Sequence, residues 1–211
     1  MLQLVKDKYN LPIRGVIHIG AHYGQEYAQY VEWGVTRFVF FEPLPGAFAG
    51  LKALAGKPGV TIVEKAIGPT NGPMTMYVET ANSGMSSSLL APGMGMRSFY
   101  ADIVFRDLDR IEVEQVRLDD WMRGNANVGD YNMINIDVQG YELQALQGAP
   151  ETLAHMDAVY AEINRLEMYE SGALVDKLDE YLASFGFERV ETTWMHPAWG
   201  EGLYLKRGAA R

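Results

Sequence analysis

HIGAHYGQE, residues 18–26, is the stretch that decides the fold. It ends an apolar run that begins at Gly15, and the residues after it carry apolar and aromatic side chains at helical spacing as far as Gly34. The sequence therefore predicts a strand, a turn that contains glycine, and a helix. Such a turn leaves backbone N–H groups pointing at a bound ligand, with the positive end of the helix dipole behind them.

Strands and helices alternate along most of the chain. Predicted strands cover residues 37–41, 60–66, 131–137 and 157–163, and predicted helices cover 24–33, 45–55, 141–147 and 171–185, with one more from residue 150. Ser171 is the expected N-cap of the helix over 171–185. The small and flexible residues of 92–96 predict a mobile segment.

This alternation predicts an α/β fold with a mostly parallel sheet and helices on both faces. Residues 73–79 and 111–116 alternate as strands do and predict an inserted β-rich segment at about 70–120. Residues 187–194 and 202–206 predict an antiparallel pair of strands near the C-terminus. We expect one domain over residues 1–211.

Composition excludes several classes of protein. The chain has 211 residues, 48% of them hydrophobic, which is enough for a packed core. Its formal net charge of −9 argues against general binding to nucleic-acid phosphates. The absence of cysteine excludes disulfides, thiolate zinc sites and cysteine nucleophiles. Because no apolar run is long enough to cross a bilayer and the first ten residues lack a signal-peptide core, we expect a soluble, cytoplasmic protein without membrane insertion.

Three ligand classes compete for the turn after the first strand. A phosphate-binding P-loop needs Gly-Lys-Ser/Thr, which is absent. A dinucleotide fingerprint would place glycines at 20, 22 and 25, but His22 and Gln25 occupy two of these positions. A cofactor without a pyrophosphate, such as S-adenosylmethionine, needs no such close approach. An ordinary strand–helix turn with no ligand is the remaining alternative.

Glu42 ends the second predicted strand, 22 residues after Gly20 and directly before Pro43. An acid at this place in a βαβ unit accepts hydrogen bonds from ribose hydroxyls. The alternative is a solvated strand end. The glycine turn and the acid together favour a ligand that contains a nucleoside.

Asp137 ends the apolar strand over 131–137. Because burial of an unpaired carboxylate is costly, we expect Asp137 to face a cleft, where it would orient or deprotonate a substrate hydroxyl or bind the ammonium of a cofactor. Its alternative role is an N-cap for the next helix. His22 is a second candidate base.

Two looser groups of side chains also point to ligands. Asp137, Glu162 and Asn164 would form an oxygen site for a divalent cation if they converged, and we do not favour this interpretation. Three aromatic residues near the C-terminus could stack on a sugar ring, although most such residues belong to a core: Trp194, His196 and Trp199.

Taken in order, several segments resemble FkbM-family methyltransferases, and the resemblance covers nearly the whole chain. These segments are residues 16–26, 41–43, 66–68, 86–89, 117–121 and 134–148. The most specific is Asp137-x-x-Gly140-x-Glu142-x-x-x-Leu146-x-Gly148. The resemblance implies a class I, Rossmann-like methyltransferase that uses S-adenosylmethionine to methylate a hydroxyl of a sugar or a polyketide-type metabolite.

Particular site residues follow from the same resemblance. It implies that the methionine end of the cofactor meets the turn, that Glu42 holds the ribose, and that Asp137 lies at the centre. The cofactor residues implied in this way are His18, Gly20, Ala21, His22, Gly24, Glu26, Glu42, Pro43, Ala66, Ile67, Ser87 and Asp137. The family often has Asp and Asn where this chain has His18 and His22.

We therefore predict O-methylation of a hydroxyl on a sugar, a glycan or a glycosylated small metabolite. A nicotinamide-dependent oxidoreductase is one alternative, although the missing glycines argue against it, and a non-catalytic nucleotide-binding module is another. A nucleic-acid methyltransferase is disfavoured by the acidic charge and by the lack of an Asn/Asp-Pro-Pro-Tyr-type motif after Asp137.

Overall fold

The computed structural model describes residues 3–209, except for the side chains of residues 106–108. Its strands are β1 (Gly15–Ile19), β2 (Arg37–Phe41), β3 (Val60–Val63), β4 (Ala66–Ile67), β5 (Gly72–Glu79), β6 (Phe105–Val116), β7 (Met133–Ile136), β8 (Ala158–Asn164), β9 (Phe187–Trp194) and β10 (Trp199–Lys206). Its helices are α1 (Leu4–Asp7), α2 (Tyr27–Glu32), α3 (Pro45–Leu51), α4 (Met94–Phe99), α5 (Leu118–Asn125), α6 (Glu142–Gln147), α7 (Pro150–His155) and α8 (Val175–Ser184). None of the described helices has the length and apolar character needed to cross a membrane.

Seven strands form the main sheet, in the order β3-β2-β1-β7-β8-β10-β9. The first five strands in this order are parallel, and β10 runs antiparallel to both of its neighbours. The predicted α/β fold with an antiparallel C-terminal strand pair is therefore confirmed. The chain leaves β1 toward β2 on one side and returns to β7 on the other, so the sheet has a switch point between β1 and β7.

Helices cover both faces of this sheet because successive side chains of each central strand point to opposite sides. Ile17 and Ile19 of β1 pack on the face covered by α5, α6, α7 and α8. Val16 packs on the other face, with buried side chains of α2 and α3. The central strands β1 and β7 are buried along their whole length, as strands of a covered parallel sheet are, and they are apolar except for His18 and Asn135.

A second sheet of three strands, in the order β4-β6-β5, accounts for most of the predicted β-rich insertion. Strand β6 begins well before residue 111, where the sequence predicted it to start. The loop after β5 and helix α4 complete this segment, which we call the insertion (residues 70–120). That residues 1–211 form one domain stays a prediction.

The predicted start of the helix over residues 171–185 was wrong. Helix α8 begins at Val175, and Ser171 is not its N-cap, since Ser171 has a φ of 62° and its N–H is accepted by Glu167. The mobility of residues 92–96 stays a prediction; helix α4 starts at Met94, within this segment, and packs on the chain after β8. Gly95 makes this approach possible, since a Cβ there would lie 2.7 Å from the carbonyl oxygen of Glu167.

Candidate active site

A cavity of about 670 Å³ lies at the carboxyl ends of β1, β2, β7 and β8. Residues that follow these strands form its floor, and residues of the insertion form much of its wall. Ligands of open α/β sheets bind in this position, at the switch point of the strand order. The volume lies within the range of roughly 300–1,000 Å³ that is usual for small-molecule sites.

The turn after β1 is held by the two neighbouring strands. Gly20 has a φ of +80°, and a Cβ there would lie 1.9 Å from the carbonyl oxygen of Asp137. The N–H groups of Gly20 and Ala21 both donate to the carbonyl of Phe41, at 3.0 Å, and that of Gly24 donates to Ala21. These N–H groups are therefore used inside the protein, and the expectation that they point at a ligand was wrong for them.

Glu42 is buried and lines the cavity directly after β2. Its carboxylate accepts the backbone N–H of His22 at 2.7 Å and that of Leu44 at 2.8 Å. Burial raises the pKa of Glu42, and these two hydrogen bonds oppose the rise. Since a carboxylate has about four acceptor positions, Glu42 keeps acceptor capacity toward the cavity.

His22 connects the turn to the insertion. Its Nε2 lies 3.0 Å from the carbonyl oxygen of Ser83, and its Nδ1 lies 3.1 Å from Nε2 of Gln25. A carbonyl oxygen only accepts and an amide nitrogen only donates, so Nε2 carries the proton and Nδ1 accepts. Both ring nitrogens of His22 are thus occupied in this arrangement, and its role as a base stays a prediction.

His18, in β1, and Glu26, just before α2, also line the cavity. Burial lowers the pKa of His18 to about 3, so its ring is neutral, and Nδ1 lies 3.3 Å from the hydroxyl of Tyr30. The pKa of Glu26 is raised by burial and by the charge of Asp137. The carboxylates of Glu26 and Asp137 are therefore close enough to repel each other.

Asp137 is exposed to the cavity itself but lies deep within the protein. Burial and the nearby carboxylate of Glu201 raise the pKa of Asp137. Carboxylate oxygens of Asp137, Glu142 and Glu162 lie within 4.8 Å of one another. Burial and Asp137 raise the pKa of Glu142 to about 7, and the same two causes raise the pKa of Glu162 well above its usual value.

Amide groups, not cationic side chains, separate these carboxylates. Nε2 of Gln139 donates to Asp137 at 2.7 Å and to Glu162 at 3.1 Å. Nδ2 of Asn164 donates to Glu162 at 3.2 Å. The predicted cation ligands Asp137, Glu162 and Asn164 thus lie close together, but Asn164 presents an N–H group to this cluster, and the third carboxylate is that of Glu142.

The insertion contributes a loop with fixed serines. Oγ of Ser87 accepts the N–H of Glu79 at 3.0 Å, and the Glu79 carboxylate accepts N–H groups of Asn82 and Gly84. The hydroxyl of Tyr169 lies 2.9 Å from the carbonyl oxygen of Ser86. The loop over residues 82–88 is therefore held against the cavity by its own side chains and by the chain after β8.

Of the predicted cofactor and cation residues, all but Gly24 line the cavity. Gly24 has a φ of +74°, and a Cβ there would lie within 2.8 Å of Leu51 and Leu54, so its role is in packing. Trp199 lines the cavity, whereas Trp194 stacks on the guanidinium of Arg165, with the guanidinium carbon 3.6 Å from the ring centre. His196 does not line the cavity.

Sequence reasoning missed several cavity residues, namely Tyr100, Gln139, Tyr160, Tyr169 and Glu201. Gln139 lies inside the most specific motif, and its place there was the one available signal. Glu201 pairs with Glu162 across β8 and β10, and its carboxylate accepts the hydroxyl of Tyr160. No local pattern indicated this pairing.

The fold and the position of the cavity define a Rossmann-like protein of the class I methyltransferase type. The chain matches the family model described as the methyltransferase FkbM domain over residues 18–189, and it belongs to this family. The family predicted from the sequence is thereby confirmed. A curated relative, 2-O-methyltransferase NoeI of Sinorhizobium fredii (strain NBRC 101917 / NGR234), is 28% identical over 177 residues, which are 81% of this chain and 71% of that protein.

Solved structures share the fold at low sequence identity. Methyltransferase FkbM from Methylobacillus flagellatus KT superposes with a TM-score of 0.58 at 15% identity, over 90% of this chain and 43% of that chain. This chain thus spans less than half the length of that protein. Magnesium protoporphyrin IX methyltransferase from Synechocystis PCC 6803, solved with S-adenosylmethionine bound, gives a TM-score of 0.52 at 8% identity, over 97% of this chain and 75% of that chain.

Proposed function

We propose that this protein transfers a methyl group from S-adenosylmethionine to a hydroxyl of a sugar, a glycan or a glycosylated small molecule. The observation that carries the proposal is that Glu42 and Asp137 line one cavity from the ends of β2 and β7, on either side of the Gly20 turn. The ribose of a nucleoside ligand needs a hydrogen-bond acceptor where Glu42 lies. A reacting hydroxyl needs a proton acceptor where Asp137 lies.

The cofactor would occupy the part of the cavity between the turn and the insertion. Glu42 would accept the ribose hydroxyls, and Ala66 and Ile67 would pack against the adenine. Glu26 is the carboxylate that would attract the ammonium group of the methionine end. The N–H groups of Gly20 and Ala21 already donate to the carbonyl of Phe41. The turn would therefore let the cofactor approach the backbone closely without accepting hydrogen bonds from these two groups.

A second group of cavity residues has the chemistry of a carbohydrate site. Nε1 of Trp199 donates to the hydroxyl of Tyr100 at 2.6 Å, and both side chains line the cavity, where Asp137, Glu162 and Glu201 supply acceptors. Aromatic faces pack on the apolar face of a sugar, and carboxylates accept from its hydroxyls. The name of the curated relative, 2-O-methyltransferase, also supports a hydroxyl acceptor.

The charge of the cavity disfavours an anionic acceptor such as a nucleic acid. Among the described residues that line the cavity, Lys65 is the one lysine, and there is no arginine. The carboxylates in that lining are Glu26, Glu42, Asp137, Glu162 and Glu201. A phosphate placed among them would meet repulsion that few groups in the site offset. We therefore propose a neutral or cationic acceptor and no nucleic-acid partner.

The chemical step needs alignment and one proton acceptor. S-adenosylmethionine supplies a methyl group that is already activated by the sulfonium. The cavity walls would hold the acceptor oxygen in line with that methyl group and exclude water. Such alignment can lower the barrier by up to about 7–11 kcal/mol in well-oriented reactions. Asp137 would orient the hydroxyl and take its proton as the new oxygen–carbon bond forms and the bond between sulfur and the methyl carbon breaks, which leaves S-adenosylhomocysteine.

Calorimetry with S-adenosylhomocysteine and with NAD tests the cofactor, and transfer of a radiolabelled methyl group to a panel of neutral, cationic and anionic glycans tests the reaction. We expect uptake of S-adenosylhomocysteine, no uptake of NAD, and labelling of a neutral or cationic glycan. The same assay with EDTA tests the cation, and we expect transfer to persist because N–H groups of Gln139 and Asn164 already donate to Asp137 and Glu162.

Each other outcome contradicts part of the proposal. Uptake of NAD instead would favour the oxidoreductase alternative. Uptake of S-adenosylhomocysteine without transfer to any glycan would favour a non-catalytic nucleotide-binding module. Loss of labelling in EDTA, restored by magnesium, would place a cation among Asp137, Glu142 and Glu162.

A further inference from the structure

Gln139 lies where three parts of the site meet: the end of β7, the end of β8 and the insertion. We propose that Gln139 is a positioning residue, which holds the carboxylates of Asp137 and Glu162 apart and oriented toward the acceptor and ties them to the insertion. This inference rests on the proposed function, because orientation of Asp137 matters there for proton transfer.

The backbone of Gln139 has an unfavourable conformation that its contacts maintain. Its φ is 58°, a left-handed value that residues other than glycine rarely adopt, and Gly140 follows with a φ of 90°. The carbonyl oxygen of Gln139 accepts the hydroxyl of Ser88 at 2.8 Å, which joins it to the insertion. Left-handed residues of this kind are concentrated at functional sites, where the surrounding structure holds them.

The side chain of Gln139 uses both ends of its amide. Its two N–H groups serve two different carboxylates, those of Asp137 and Glu162. Its oxygen lies 2.9 Å from the hydroxyl of Tyr169, and this hydroxyl also contacts the carbonyl of Ser86. A movement of the loop over residues 82–88 would therefore be transmitted to Asp137 through the side chains of Tyr169 and Gln139.

An amide is the group that this position requires. Two carboxylates need donors between them, and the amides of Gln139 and Asn164 supply these donors. The hydrogen bonds from Gln139 lower the pKa of Asp137 and of Glu162, whereas burial and neighbouring carboxylates raise both. The titratable groups that surround Asp137 are His22 and Glu26 after β1, Glu42 after β2, Glu142 in α6, Tyr160 and Glu162 in β8, Tyr169, and Glu201 in β10.

The variant Gln139→Glu has nearly the same shape but removes both donors and adds a third acid between the other two. We expect turnover at neutral pH to fall at least about 10-fold and the acid limb of its pH profile to move up by about one pH unit, since Asp137 must lose its proton to act as a base. Affinity for S-adenosylhomocysteine should stay within about threefold, as expected for a residue that acts on the acceptor side. The exposed Gln147→Glu in α6 is the matched control and should leave turnover, the acid limb and the affinity for S-adenosylhomocysteine unchanged.

Two further measurements keep this test decisive. Tyr169→Phe removes one contact to Gln139 without adding charge, and we expect a smaller shift of the acid limb in the same direction. Titration of the carboxyl carbons by ¹³C NMR, assigned with Asp137→Asn, reports the pKa of Asp137 without any turnover, so it remains informative if the wild-type protein transfers no methyl group. An unchanged acid limb and an unchanged titration of Asp137 in Gln139→Glu would overturn the inference, whereas absence of cofactor uptake by the wild type would overturn the proposed function instead.

Discussion

The Glu42 carboxylate accepts the backbone N–H of His22 at 2.7 Å, so the acid that follows β2 fixes the turn that follows β1. The second oxygen of this carboxylate accepts the N–H of Leu44, which begins the path into α3. One buried side chain thus joins the ends of two neighbouring strands. Its remaining acceptor capacity faces the cavity.

Replacement of Glu42 by glutamine should weaken cofactor binding. A carboxamide has one acceptor oxygen, so its NH₂ group would face the N–H of either His22 or Leu44 and disturb the turn. We expect a loss of about 1–3 kcal/mol in the affinity for S-adenosylhomocysteine, measured by calorimetry. The exposed Glu64→Gln, just after β3, is the control. Equal affinities of Glu42→Gln and wild type would remove Glu42 from the cofactor site.

Replacement of Asp137 by asparagine should affect turnover more than binding. The amide cannot accept a proton from a hydroxyl, but its oxygen can still accept the hydrogen bond from Gln139. We expect turnover to fall about 100-fold or more while the affinity for S-adenosylhomocysteine is largely retained. Methyl-transfer kinetics of this variant test the prediction. The exposed Asp130→Asn is the control. A normal turnover number would exclude Asp137 as the base.

Glu142 should make stability depend on pH in a defined direction. Its pKa in the folded protein is about 7, above the ordinary value of 4.5, so its stabilising contribution is complete below pH 4.5 and is lost as the pH rises to about 7. Glu142→Gln can still accept the N–H groups of Val138 and Gly140 but carries no charge. Between pH 5 and pH 8 we expect the unfolding free energy of this variant to rise relative to wild type by about 3 kcal/mol at most.

Urea unfolding at the two pH values measures this difference. The exposed Glu114→Gln, in β6, is the control and should show no such change relative to wild type. An unfolding free energy of Glu142→Gln, relative to wild type, that is the same at both pH values would mean that Glu142 is ionised at low cost in the folded protein. A relative value that is lower at pH 8 than at pH 5 would mean the same.

Substitutions at Gly20 and Gly34 distinguish two causes of lost stability, an unfavourable backbone conformation and a steric clash of the added Cβ. Their φ values are +80° and +81°, but a Cβ at Gly20 would lie 1.9 Å from the carbonyl oxygen of Asp137, whereas one at Gly34 would have no neighbour within 4 Å. We expect Gly34→Ala to cost about 1 kcal/mol of stability and Gly20→Ala to cost more than about 3 kcal/mol. Denaturant unfolding of both variants tests this, and similar losses would contradict the close contact.

Much of the main sheet could be predicted because its signals are local. Continuous apolar runs indicate covered strands, and glycine or proline after each run marks where it ends. The start of α8 and the helix α4 could not be predicted in this way. Helix α4 contains Gly95 and owes its position to the chain after β8, where Met168 and Glu167 accept its N–H groups. Contacts between distant residues of this kind override a weak local preference.

The sequence by itself determined the family, the strand alternation and the acids that follow particular strands. Glu42 and Asp137 could be predicted to approach each other because the carboxyl ends of parallel strands meet at one edge of a sheet. Only the tertiary structure decided which other groups join them. Glu201 reaches the cavity through its register with Glu162, and Gln139 bridges two acids through a left-handed backbone. Register and side-chain contact depend on packing between elements far apart in the chain, and no local pattern encodes them.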